Sequence, residues 1–338
     1  MDYNSLDINS LVKYFLCCTP INTMNAHISE HNIDWVTEFE RQQEILEKTL
    51  NSELIKKYPI KKSYQRAFLK WLMTMIEKKD GIIHESIYIT YCNLVSSSFD
   101  ESNHYRHFII DNENTDCITM LESTNIISEG TTGLCSWQGA IELSNWCLES
   151  KNEFCDKVIL ELGCGVGLTG LCIIKKCFPK QYIFTDCHET VLQMLSENVK
   201  LNLLHNEEII KSQTRADRLK LEVKYNCTNV KIMELKWENI DKYINEDWII
   251  PNIIIGSDIL YDVDSFNALV LGLKIFLSFN NTYAIIAATI RNADTILQFL
   301  QQLEIHNLSF EEYSVSKRRV HMQFTNLPIK ILKIFQKR

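Results

Sequence analysis

Val158-Ile-Leu-Glu-Leu-Gly-Cys-Gly-Val-Gly-Leu-Thr-Gly170 is the stretch that decides the fold. A short apolar run, the length of a buried strand, enters a glycine-rich turn, and an apolar segment with helical spacing follows. Glycine is needed where the chain takes a positive φ without strain and where a ligand approaches the backbone closely; Gly163, Gly165 and Gly167 fit both needs. Gly165-x-Gly167-x-x-Gly170 also matches the dinucleotide fingerprint, so spacing alone leaves a nicotinamide-dependent oxidoreductase open beside a methyltransferase. Charge separates the two. Glu161 at the mouth of the turn would oppose a pyrophosphate, whereas it suits the ammonium and sulfonium groups of S-adenosylmethionine.

The pattern continues on both sides of the turn. Val158–Leu160, Tyr182–Phe184, Val230–Met233, Ile253–Ile255 and Tyr283–Ile286 read as strands, with helices over 187–204 and 262–277. Alternating β and α elements predict an α/β fold around a mainly parallel sheet. Phe310–Val315 and Ile329–Phe335 read as a closing hairpin-like pair. The polar stretch from His205 to about Cys227 is expected to be an inserted loop.

In such a sheet the carboxyl ends of the strands bind ligands. Asp186, which ends the second of these strands, is placed to accept hydrogen bonds from both ribose hydroxyls of a nucleoside. The plainer role for Asp186, as for Glu161, is capping of loop amides. Trp237, in Glu234-Leu-Lys-Trp-Glu238, is positioned to cover an adenine, and Trp137, in Gly133-Leu-Cys-Ser-Trp-Gln-Gly139, to close the pocket from the other side, although taken singly either indole fits core packing equally well. Ile253-Ile-Ile-Gly-Ser-Asp-Ile-Leu-Tyr-Asp262 delivers Ser257, Asp258 and Tyr261 to the same edge. Asp258 is expected to orient an incoming ammonium and Tyr261 to shape its channel. A lysine has a pKa of roughly 10.4, so only about one amine in a few thousand is neutral at pH 7, and a carboxylate beside it would hold the proton more tightly. His188 is eligible as a base, although a loop histidine with structural hydrogen bonds is the simpler reading. Cys164 within the turn reads as a small space-filler, and no zinc-ligand spacing stands out.

The first ~120 residues differ: apolar residues recur at intervals of three and four, which predicts helices. Trp35, Phe39, Leu46 and Leu50 form one stripe, and Tyr64, Phe68, Leu72, Met75 and Ile76 another that Ser63 is placed to cap. Asp111-Asn-Glu-Asn-Thr-Asp116 has the composition of a solvated loop. Over the 338 residues, 46% hydrophobic and 23% charged, the composition is globular, and a net charge of −8 argues against a broad phosphate-binding surface. Twelve cysteines without a paired C-x-x-C framework read as reduced thiols. The polar start and the lack of a long uncharged apolar run point to a cytoplasmic protein. A monomer is expected, with neither nucleic acid nor membrane as a direct partner.

Taken as a set, Gly130-Thr-Thr-Gly-Leu-Cys-Ser-Trp137, the glycine turn, Thr185-Asp-Cys-His188, Asn198-Val-Lys-Leu-Asn202, Ser257-Asp-Ile-Leu-Tyr261 and Ala288-Thr-Ile-Arg-Asn292 resemble the eukaryotic elongation factor 2 lysine methyltransferases. The N-terminal region, with Ser63-Tyr-Gln-Arg-Ala-Phe-Leu69, narrows the resemblance to that family within the wider seven-strand methyltransferases. It implies a Rossmann-like, seven-stranded class I methyltransferase domain over 126–338 and a mainly helical substrate-recognition region over 1–125. It also implies S-adenosylmethionine as cofactor and a lysine of elongation factor 2 as acceptor. Carried over position by position, Trp137, Gly163, Cys164, Gly165, Asp186, Trp237 and Ser257 contact the cofactor, and Asp258 and Tyr261 lie beside the acceptor. A methyltransferase for another protein lysine, such as one on a chaperone, and a silent binding module of the translation machinery are the alternatives.

Overall fold

The computed structural model describes residues 7–29, 31, 33–96, 101–111, 116–204, 218–244, 250–279, 281–315 and 327–337. The chain divides into two compact units, with the boundary between Ile126 and Ile127.

The first unit begins with helices α1 (Ile8–Leu16), α2 (Ile21–Ser29), α3 (Phe39–Lys48), α4 (Glu53–Lys57), α5 (Lys62–Lys78) and α6 (Glu85–Ser96). Phe15 and Phe68, whose rings lie 4.7 Å apart, sit in its apolar core with Ile45, Leu46, Leu72 and Ile76. Two details differ from the periodicity. The first stripe is broken at Glu38 between a short 3-10 turn and α3, which leaves Phe39 exposed while Ile45 and Leu46 point inward. Lys61, not Ser63, precedes α5, because the helix starts two residues earlier than expected, at Lys62.

The region is also not wholly helical. Strands β1 (Asn103–Ile109) and β2 (Cys117–Ser123) form an antiparallel hairpin. Its buried positions include Arg106 and His107, which is why it did not read as strand. The Arg106 guanidinium donates to Glu122 at 3.1 Å and to the Cys17 carbonyl at 3.1 Å. His107 bonds Thr119 and the Tyr58 carbonyl, and burial lowers its pKa to about 4, which keeps the ring neutral. Residues 112–115 of the expected solvated loop lie outside the described residues.

The second unit holds α7 (Gln138–Glu149), α8 (Lys151–Phe154), β3 (Val158–Leu162), α9 (Leu168–Cys177), β4 (Gln181–Asp186), α10 (Glu189–Leu203), β5 (Leu219–Tyr225) and β6 (Thr228–Glu234). It continues with α11 (Ile240–Ile244), β7 (Ile253–Ser257), α12 (Phe266–Leu277), β8 (Tyr283–Thr289), α13 (Ala293–Ile305), β9 (Leu308–Tyr313) and β10 (Ile329–Gln336). One eight-stranded sheet runs in the order β5-β6-β4-β3-β7-β8-β10-β9. Neighbours from β6 to β8 are parallel, and β10 runs antiparallel to both β8 and β9.

Buried on both faces, β3 reads as an unbroken apolar run apart from Glu161. Seven of the strands have the order of the expected class I domain, and β5 is an added edge strand antiparallel to β6. It occupies the end of the stretch read as a loop, where half-exposed Leu219, Leu221 and Tyr225 alternate with charged residues. Residues 205–217 of that stretch lie outside the described residues. The chain reverses direction of addition at β3, which lies between β4 and β7 and so marks the switch point where open α/β sheets bind ligands.

Candidate active site

β3 ends in the glycine turn. Gly163 and Gly165 have φ of 59° and 53°, in the left-handed region that other L-residues rarely occupy. A Cβ would meet Ile259 Cγ2 at 2.8 Å from Gly163 and the Gly133 carbonyl at 3.1 Å from Gly165, so the turn is packed as well as bent. Between them the Cys164 amide donates to the Thr185 carbonyl at 3.0 Å. Burial pushes the Cys164 thiol well up, which fits a space-filler and not a nucleophile.

Asp186 ties this turn to the end of β4. Its Oδ2 accepts from the Gly165 amide at 3.2 Å, and its Oδ1 accepts from the Cys187 and His188 amides at 2.8 and 3.1 Å. Burial raises its carboxyl pKa, while those amides pull it back down. With two bonds at Oδ1 and one at Oδ2, the carboxylate keeps lone-pair capacity at Oδ2, and Asp186 lines a cavity of about 690 Å³. Trp237, at the start of a 3-10 turn after β6, lines the same cavity, as do Trp137, Gly163, Cys164 and Gly165. From the β7 edge come Ser257, Asp258 and Tyr261. Tyr261 is 63% exposed, which leaves its ring at the surface. His188 precedes α10 without capping it by its side chain, and its buried Nδ1 has no hydrogen-bond partner among the described residues.

Glu161 is the expected cofactor residue that the structure does not bring to the cavity. It is 1% exposed and accepts a 2.7 Å hydrogen bond from the Tyr182 hydroxyl inside the sheet layer. Burial raises its pKa to about 8, so the side chain carries a proton over most of the neutral range. A neutral carboxyl facing Tyr182 does not serve as counter-charge to a sulfonium.

Asp258 reaches the cavity, but with its carboxylate already surrounded. Following β7 at φ 52°, it accepts from the Thr289 amide at 2.7 Å and hydroxyl at 3.0 Å, and from the Gly139 amide at 2.7 Å. The guanidinium of Arg291 stands 3.5 Å from Oδ2. Gly139 is the second residue of α7, so Asp258 supplies the acceptor that an N-cap side chain normally provides; Trp137 holds the cap position and its indole donates to the Thr132 carbonyl at 2.9 Å. Asp258 is therefore bonded within the protein at both oxygens.

Arg291 is the residue that sequence reasoning missed. It follows β8 at the carboxyl edge, lines the cavity and places its guanidinium carbon 4.9 Å from the Trp137 ring centroid. The signal was its place just past a strand end within Ala288-Thr-Ile-Arg-Asn292.

Strand order, a glycine turn at the switch point and a cavity walled by two indoles and a strand-end carboxylate define a class I methyltransferase site, and the indoles and carboxylate suit an adenosine-bearing donor. The comparisons agree. The profile of the lysine methyltransferase family matches residues 118–306. The protein-lysine N-methyltransferase EEF2KMT of Bos taurus is 31% identical over 86% of this chain and 85% of its own. Its namesake in Homo sapiens is 30% identical over 88% and 86%. EFM3 of Chaetomium thermophilum, also a protein-lysine N-methyltransferase, is 31% identical over 54% and 50%. The chain belongs to the lysine methyltransferase family, among the relatives of EEF2KMT. It is an S-adenosylmethionine-dependent protein-lysine methyltransferase. Among the described residues no helix is long and apolar enough to cross a membrane, and no cluster of His, Cys, Asp and Glu has the makings of a metal site.

Proposed function

We propose that this protein methylates a lysine of elongation factor 2, acting as a monomer in the cytoplasm. The observation that carries the reading is the extent of the likeness: identity to EEF2KMT proteins runs over 86% of the chain, too much to be confined to the catalytic unit. In this reading residues 1–125 choose the protein substrate and residues 126–338 carry the transfer.

Bound in the cavity, the donor supplies an electrophilic methyl on a sulfonium. Trp237 and Trp137 cover it, Asp186 accepts from its ribose hydroxyls, and the amides and carbonyls around Gly163, Cys164, Gly165 and Ser257 complete the seat. Tyr261, exposed at the rim, lines the approach of the acceptor side chain. Asp258 acts as a positioning residue: its oxygens already accept from the Gly139 amide and from the Thr289 amide and hydroxyl, with Arg291 beside them, so its bonding is committed within the protein. That eases the tension between a carboxylate in the site and a reaction that needs a neutral amine. Held in this seat, the donor would offer its methyl to an acceptor amine that has already given its proton to solvent, and the uncharged thioether would be the leaving group. Alignment of the reacting groups supplies much of the rate.

Incubating the purified protein with radiolabelled donor and a lysate tests the acceptor. A single labelled band at the mass of elongation factor 2 is expected, and a band at the mass of a chaperone would redirect the proposal.

A further inference from the structure

S-adenosylmethionine carries an α-carboxylate, and none of the cofactor residues assigned above offers a cation to it. We propose that Arg291 binds this carboxylate. The inference depends on the donor and not on which protein accepts the methyl group.

Sheet order supplies the first argument. Asp186 ends β4 on one side of β3, whereas Arg291 follows β8, two strands away on the other side. A donor whose ribose lies at Asp186 and whose chain crosses the glycine turn carries its amino-acid tail toward the β7–β8 side. Of the other basic residues on the cavity, Lys236 and His188 follow β6 and β4, on the nucleoside side. Arg291 is the cation at the tail end among the described lining residues.

Its posture supplies the second argument. The guanidinium lies over the Trp137 ring at 4.9 Å, an arrangement that fixes its position while leaving its N–H edges free. Of its five N–H donors, only Nη2 has a neighbour among the described residues, and that contact to Asp258 is long, 3.5 Å. Asp258 has better partners in Gly139 and Thr289. A guanidinium seated over an indole, with most of its donors unpaired among the described residues and beside a cavity, suits the bidentate binding of a carboxylate.

The test compares two ligands by isothermal titration calorimetry. S-adenosylhomocysteine has the amino-acid tail; 5′-methylthioadenosine has the same adenosine and thioether without it. Arg291→Met is expected to weaken S-adenosylhomocysteine binding by about ten- to a hundredfold, the range for a charge-assisted hydrogen bond, and to leave 5′-methylthioadenosine binding unchanged. Arg291→Lys, which keeps the charge and loses the fork, is expected to fall between. Retained 5′-methylthioadenosine binding also shows that the variant is folded. Equal weakening of both ligands, or no weakening of either, would overturn the proposal.

Discussion

The amide of Gly139 donates a 2.7 Å hydrogen bond to the carboxylate of Asp258, 119 residues further along the chain. This bond joins the start of α7, which carries Trp137, to the loop after β7, which carries Tyr261. Through Thr289 and Arg291 the same carboxylate holds the end of β8. One buried carboxylate thus joins the elements that carry Trp137, Tyr261 and Arg291.

Asp258→Ala leaves the Gly139 amide and the Thr289 amide and hydroxyl without their acceptor. A loss of about 3 kcal/mol or more in unfolding free energy is expected, with turnover falling as well. Denaturant unfolding read beside donor titration checks this; a variant of unchanged stability that loses only turnover would return Asp258 to direct contact with the acceptor amine.

At Gly139 a Cβ would lie 2.7 Å from the Asp258 Cγ and 2.9 Å from both oxygens. Gly139→Ala is therefore expected to push the carboxylate off α7 and destabilise the protein by about 1–3 kcal/mol. A melting temperature equal to that of the parent would contradict the capping role.

Glu161 yields a prediction in pH. Its carboxyl titrates at about 8 in the folded protein against an ordinary 4.5. The folded state therefore keeps a proton that the unfolded chain releases, and this contribution to stability declines as pH rises from about 4.5 to 8, by at most about 5 kcal/mol, then levels off. Glu161→Gln, which keeps an acceptor for Tyr182 and cannot ionise, is expected to remove that slope, to be more stable than the parent near pH 8 and to bind donor as before. A large loss of donor affinity in Glu161→Gln would restore Glu161 to the cofactor.

Asp186→Ala is expected to weaken donor binding by about ten- to a hundredfold while affecting turnover at saturating donor less. Titration with S-adenosylhomocysteine measures the first effect and steady-state kinetics the second.

Removing residues 1–125 is expected to spare donor binding and abolish methylation of the folded protein substrate. Undiminished protein methylation by the remaining unit would remove substrate choice from the N-terminal region.

Much of this was legible in the sequence for a physical reason. Positive φ at Gly163 and Gly165 excludes most side chains, so the turn is written in residue type, and strands buried on both faces spell themselves as apolar runs. What escaped was polar chemistry turned inward. Arg106, His107 and Glu122 are polar letters at buried positions, each bonded to a partner far away in sequence, so the strands β1 and β2 went unrecognised within a region read as helical. Glu161 is a carboxylate at the right place along the chain, but its environment is set by Tyr182 on the neighbouring strand, which spacing does not reveal. The three residues that hold the Asp258 carboxylate, Gly139, Thr289 and Arg291, likewise meet it only once β7, β8 and α7 are brought together.

The most direct test of the account is intact-mass analysis of purified elongation factor 2 after incubation with this protein and S-adenosylmethionine, followed by mapping of the modified peptide. The account predicts a mass gain of whole methyl groups on one lysine, absent when Asp186→Ala replaces the parent at limiting donor. An unmodified factor beside an enzyme that binds donor normally would contradict it.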